Sequence, residues 1–106
     1  MIDIETKYLE MIKSILYQHI PEYEVWIFGS RVRGQAYRYS DIDLVLIGKE
    51  KLDLHRLEAL RDNFSESDLP FMVDVLDWHD ISDSFQQAIL RRYEILAPAE
   101  APLGKR

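Results

Sequence analysis

Residues 27–46 read IFGSRVRGQAYRYSDIDLVL, and the fold turns on how that stretch is divided. Gly29-Ser30 closes one apolar run, ten residues follow, and Asp41-Ile42-Asp43 opens a second. As a strand over residues 41–47, its side chains alternate. Asp41, Asp43 and Val45 then share one face, and Ile42, Leu44 and Leu46 the other. Two carboxylates side by side repel, and a cation between them relieves the repulsion; such hard ligands suit Mg²⁺. Gly29-Ser30 offers a tight turn, backbone N–H groups and a hydroxyl, and a helix starting at Arg31 would point its N-terminus at a phosphate. A metal–carboxylate pair facing a phosphate cradle is what phosphoryl or nucleotidyl transfer requires. A Gly-Ser dipeptide alone is usually just a turn, and Asp-x-Asp alone a solvated strand end. Their joint spacing, with a third acid on another strand, makes the active-site reading.

Outward from that stretch the chain alternates between the two periodicities. Residues 24–28 form a strand with Trp26 and Phe28 on one face and Val25 and Ile27 on the other, so both faces of the sheet are covered. Upstream, residues 4–20 make an amphipathic helix with Tyr8, Ile12, Ile15, Leu16 and His19 at helical spacing, ended by Pro21. Downstream, Asp53 caps a helix over residues 53–64 whose inner side is Leu54, Leu57, Leu60 or Arg61, and Phe64. His55 belongs to its exposed first turn. Residues 71–76 form a third strand, with Phe71, Val73 and Val75 pointing one way and Met72, Asp74 and Leu76 the other. An acid set between two apolar residues on a strand face is costly to bury unless paired or metal-bound. That singles out Asp74; the competing Asp77 points with Val73 and Val75. A last helix, capped by Asp80 or Ser82, runs to about Tyr93 with Phe85, Ala88 and Ile89 inside. Residues 97–106, APAEAPLGKR, read as a flexible tail, leaving residues 1–96 as one domain.

Arg31 and Arg33 sit where a triphosphate would lie, and a guanidinium fork binds phosphate well. Ser40 could donate to a phosphate or simply help enter the strand. The chain's 106 residues and 47% hydrophobic content suit a single small globular domain, and its net charge of −6 argues against general nucleic-acid binding. With no cysteine there are no disulfides and no thiolate zinc sites. No apolar run approaches a membrane span, and the start, MIDIETKY, lacks the regions of a signal peptide. A cytoplasmic location is expected.

The pattern of Gly-Ser, ten residues and Asp-x-Asp resembles the signature of the polymerase β-like nucleotidyltransferases. More narrowly, residues 29–46 and the later SESDLPFMVDVLDW (65–78) look like the minimal nucleotidyltransferases (MNT), over residues 8–96. The resemblance implies an α/β fold, a small mixed sheet of at least three strands with helices packed against it. It implies transfer of AMP from ATP to a hydroxyl. Asp41, Asp43 and Asp74 would hold two Mg²⁺ ions, and Asp74 would help deprotonate the acceptor. Gly29 and Ser30 would grip the phosphates, with Arg31 or Arg33 adding charge. It also implies a hetero-oligomer with an all-helical HEPN-type partner, whose tyrosine would take the nucleotide in an antitoxin role. Alternatives are catalysis on a small molecule such as an aminoglycoside, with the partner forming the substrate pocket, and a nucleotide-binding or steric neutraliser without chemistry. The base and the acceptor are not written in any residue.

Overall fold

The structure, a computed structural model, describes residues 2, 4–29, 31 and 40–99; the expectations placed on Ser30, Arg33 and most of the tail fall outside the described residues. Helix α1 spans Thr6–His19, strand β1 Glu24–Phe28, strand β2 Ile42–Ile47, helix α2 Leu54–Glu66 and strand β3 Val73–Asp77. A single 3-10 turn, Trp78–Asp80, leads to helix α3 at Asp83–Arg91 and strand β4 at Glu94–Ala97. The sheet order is β3-β2-β1-β4, with β2 and β3 parallel and β1 antiparallel to both β2 and β4.

The period-2 alternation sorts the sheet as the sequence implies. Val25 and Ile27 of β1, Ile42, Leu44 and Leu46 of β2, and Val75 of β3 form one core with Ile12, Ile15 and Leu16 of α1 and Leu57, Leu60 and Phe64 of α2. Each such side chain, fully buried, contributes about 1.5–3 kcal/mol. Val45 and Ile89 are equally buried but stand apart from that core, because α3 covers part of the opposite face. There Phe85 meets Phe28 edge to face at 5.9 Å, and Trp26 stacks on Tyr93 at 3.9 Å.

The caps decide the helix starts. The Asp53 carboxylate accepts from the N–H groups of His55 (3.0 Å) and Arg56 (3.3 Å), satisfying donors that the first turn leaves open. Ser82, not Asp80, caps α3, its Oγ accepting from the Phe85 N–H at 3.2 Å. His19, at the inner edge of α1, bonds Asn63 through Nε2 at 2.9 Å and has a structural setting.

Three expectations are corrected. Helix α3 stops at Arg91, two residues early, and residues 94–97 become β4, which pairs Glu94 with Ile27 and Ile95 with Trp26. Four residues carry too little alternation to be read locally; pairing with β1 makes the strand. The domain boundary drawn after residue 96 therefore cuts β4, which ends at Ala97. Leu54, expected inside, is 61% exposed, because the first turn of α2 projects past the core.

Candidate active site

Strand β1 ends at Phe28, opposite Asp43 of β2, and Gly29 then turns with φ +84°, a conformation side chains rarely adopt. A Cβ at Gly29 would collide with Asp43 Oδ2 and lie 3.3 Å from its Cγ. The turn therefore needs glycine twice over, for its backbone and for its closeness to the carboxylate.

Asp43 is also in register with Asp74 across the parallel β2–β3 pair, where strands lie about 4.8 Å apart. Matched residues on neighbouring strands share a face, so the two carboxylates stand side by side on the face opposite the main core. Asp43 is half-buried and Asp74 exposed. Phe28, Asp43 and Phe85 form a wall common to two clefts. One, of about 390 Å³, adds Asp74, Leu76 and Arg61. The other, of about 310 Å³, adds Gly29, Ala88, Ile89 and Arg92.

The remaining predicted residues are distributed unevenly. Asp41 is exposed and precedes β2. Arg31 is buried rather than held out to a ligand: its Nε and Nη2 both donate to the Ser40 carbonyl, at 3.2 and 2.8 Å, and its guanidinium lies 5.0 Å from the Phe71 ring centre. This contact, from the Arg31 guanidinium to the Ser40 backbone carbonyl, gives the Arg31 side chain a framework setting. Ser30 and Arg33 lie outside the described residues.

Asp74 and Asp77 separate as alternation required, but not as burial was expected to. Asp74 is open to the cleft, whereas Asp77 is 2% exposed. Asp77 Oδ2 accepts from the Leu52 N–H at 2.8 Å and its Oδ1 from the His79 N–H at 2.9 Å. The costly buried carboxylate of this strand is thus Asp77, and backbone donors satisfy it. His79 is accounted for by the same joint, its Nε2 lying 2.7 Å from the Gly48 carbonyl oxygen. Two contributors to the clefts went unread, Phe28 with Phe85 and the exposed Arg61. The helical period gives Arg61 only as the alternative to Leu60 on the inner side of α2.

Two carboxylates in an open cleft suit a hard divalent cation, and Mg²⁺ in phosphate sites is commonly held by one or two carboxylates with phosphates and waters completing its shell. Among the described residues, no three acidic or histidine side chains gather as a metal-binding group. The Asp43–Asp74 pair fits an ion whose remaining positions a substrate would fill.

Residues 10–100 match the family model described as polymerase beta, nucleotidyltransferase. The chain belongs to this family. Over 104 residues it is 44% identical to the protein named "Probable protein adenylyltransferase MntA" of Haemophilus influenzae, covering 98% of this chain and 91% of that one. Solved structures resemble it in fold. A toxin–antitoxin crystal structure with AMP-PNP superposes with a TM-score of 0.71 at 24% identity, over 91% of this chain and 76% of that one. A tri-AMPylated HEPN toxin of Shewanella oneidensis in complex with its MNT antitoxin gives 0.68 at 23% identity, over 90% and 73%. Among the described residues, no helix is long and apolar enough to cross a membrane.

Proposed function

We propose that this nucleotidyltransferase is a protein adenylyltransferase that moves AMP from ATP onto a tyrosine hydroxyl of a HEPN-type partner, and so acts as an antitoxin. The observation that carries the chemistry is Asp43, flanked by the glycine turn on one side and by Asp74 in register on the other. The direction of transfer, onto a protein, rests on the likeness to the adenylyltransferase MntA, with an AMPylated toxin in a structure of the same fold.

In this reading the acceptor oxygen forms a bond to the α-phosphorus of ATP while the bond from that phosphorus to the bridging oxygen breaks. Pyrophosphate leaves with the electron pair, and Asp74 receives the hydroxyl proton. The Gly29 turn brings backbone close to Asp43, and we place the triphosphate there, with Ser30 and Arg33 beside it. Arg31, bonded to the Ser40 carbonyl, has a structural part in this reading. Asp43 and Asp74 would hold Mg²⁺, and Asp41, which the structure does not gather with them, would have to turn in to join as a third ligand; the ion would supply charge neutralisation on the phosphates and on the attacking oxygen.

Incubating the chain and its HEPN-type partner with Mg²⁺-ATP should add about 329 Da per AMP to the partner, by intact-protein mass spectrometry. Asp43→Asn should add none. If the partner's mass stays unchanged while ATP is still converted to pyrophosphate, a small-molecule acceptor replaces the protein one.

A further inference from the structure

Strand β3 is an edge strand, and its hydrogen-bonding side toward β2 is known. The Ile42 N–H donates to the Met72 carbonyl at 2.9 Å, so in this parallel ladder Met72, Asp74 and Leu76 address β2 with their backbone. The alternate residues Val73, Val75 and Asp77 therefore aim their N–H and C=O groups away from the sheet. Arg61 confirms the direction, since its Nη2 reaches from α2 to donate to the Val75 carbonyl at 2.7 Å. One arm of an exposed guanidinium is used there, and the other donors of its planar fork remain beside the edge.

Two clefts meet at this point. The cleft holding Asp43 and Asp74 and a second of about 350 Å³ containing Phe71 and Met72 share Arg61 and Val73. Together they form a path along β3, catalytic at one end and apolar at the other. Met72 is 67% exposed there, the largest exposure of any big apolar side chain among the described residues. A small acceptor would fill the first cleft only. An extended polypeptide can fill both, pairing with the outward N–H of Val73, which unlike Val75 and Asp77 is not buried, and setting alternate side chains down into the clefts. An Arg beside an open edge also deters random strand pairing, so a guard role is the competing account.

We infer that the acceptor polypeptide docks in extended form along the outer edge of β3, with its hydroxyl side chain turned to Asp43 and Asp74. A flanking apolar side chain sits on Met72, and a main-chain carbonyl or a carboxylate of the acceptor lies on Arg61. This rests on the protein-acceptor reading above and says where that acceptor binds.

The test uses the complete chain with its HEPN-type partner. Amide hydrogen exchange at Val73 should slow when the partner binds in the presence of Mg²⁺-AMP-PNP. Met72→Glu and Arg61→Ala should each raise the acceptor KM at least tenfold while leaving Mg²⁺-ATP affinity within twofold of wild type. Val73→Pro removes one outward N–H without breaking the ladder to β2 and should do the same; Met72→Glu, on the surface, covers the case in which the proline variant fails to fold. Unchanged exchange at Val73, with Met72→Glu and Arg61→Ala modifying the partner at wild-type KM, overturns the docking path and leaves adenylyl transfer standing. Aggregation of Arg61→Ala with a normal acceptor KM assigns Arg61 to edge protection and also overturns it. A partner never modified by the wild-type chain that binds Mg²⁺-ATP removes the protein-acceptor reading itself, and the docking path with it.

Discussion

Asp74 and Asp77 stand three residues apart on β3 and are treated in opposite ways. Asp77 faces inward, is sealed from water and has a backbone N–H on each oxygen. Asp74 faces the cleft, exposed, beside a second carboxylate of the same sign. The difference teaches how this fold divides its acids. On the core side a carboxylate is a tie, joining the strand to Leu52 and to the turn at His79. On the cleft side, two carboxylates stand next to each other at the mouth of an open cleft, an arrangement that a bound cation stabilises. A pair held like this is a chemical device rather than a stabilising one.

The largest expected effect comes from breaking the cleft side. Asp43→Asn should reduce adenylyl transfer by about 10³-fold or more, the scale of losing a principal electrostatic group in a transition state. Its melting temperature should fall far less than that of Asp77→Ala, because Asp43 is half-buried at a cleft rather than sealed in the core. Activity assays paired with thermal melts check both halves. A variant that is inactive because it is unfolded would erase the contrast with Asp77.

Breaking the core side should do the reverse. Asp77→Ala leaves the Leu52 and His79 N–H groups without their acceptor in a buried place, which costs roughly 2–4 kcal/mol. Urea unfolding should show that loss. At a temperature where the variant is still folded, transfer should remain near wild type. A stable but inactive Asp77→Ala would mean that the two acids are not divided in this way.

Gly29→Ala sits between the two. Its φ of +84° costs a side chain about 1–2 kcal/mol, and the new methyl must displace the Asp43 carboxylate. Transfer should fall roughly 10–100-fold, since small displacements of reacting groups are expensive. The expected signature is a moderate loss in both stability and rate, read by urea unfolding and by initial velocities. A loss in stability alone would show that Asp43 tolerates being moved.

Much of this division was legible in the residues. Alternation alone put Ile42, Leu44 and Leu46 inside, Asp43 outside, and Asp74 and Asp77 on opposite faces, because the strand period of two leaves no other choice. What could not be read was which acid would be dry. Burial depends on what covers a face, and α3 leaves the Asp74 end open while Leu52 and the His79 turn close over Asp77. The setting of Arg31 was hidden for a related reason. A guanidinium next to a Gly-Ser turn looks like a phosphate ligand in one dimension, and only the folded chain brings Ser40 and Phe71 to it. Strand β4 was invisible because its four residues gain their hydrogen bonds from β1, nearly seventy positions away, and show almost no local period. Arg61 could not be placed because its stem belongs to a helix whose neighbours face the core, while its head reaches the strand edge.

The smallest effect sharpens the comparison with a third kind of carboxylate. Glu22 is exposed, like Asp74, but it has a partner: Arg56 bonds it with both guanidinium nitrogens and also donates to the His19 carbonyl at 2.7 Å, joining α2 to the end of α1. The hydrogen bond from Arg56 holds the Glu22 carboxyl below its ordinary value of 4.5. A carboxyl lowered in the folded state contributes stability above its unfolded pKa and loses it as pH falls through the lower folded value. Both side chains are more than 40% exposed, so water and salt screen the pair and the contribution is only about 0.5 kcal/mol. The difference in unfolding free energy between wild type and Glu22→Gln should therefore be small at pH 7, shrink below about pH 4.5, and vanish once Glu22 is protonated in both states. It should also shrink in 1 M salt, where screening acts over about 3 Å. A difference that persists unchanged at low pH would mean Glu22 acts by packing rather than by charge. In either case the loss should stay several-fold below that of Asp77→Ala, because a carboxylate satisfied in the dry interior costs far more to remove than one that water can replace.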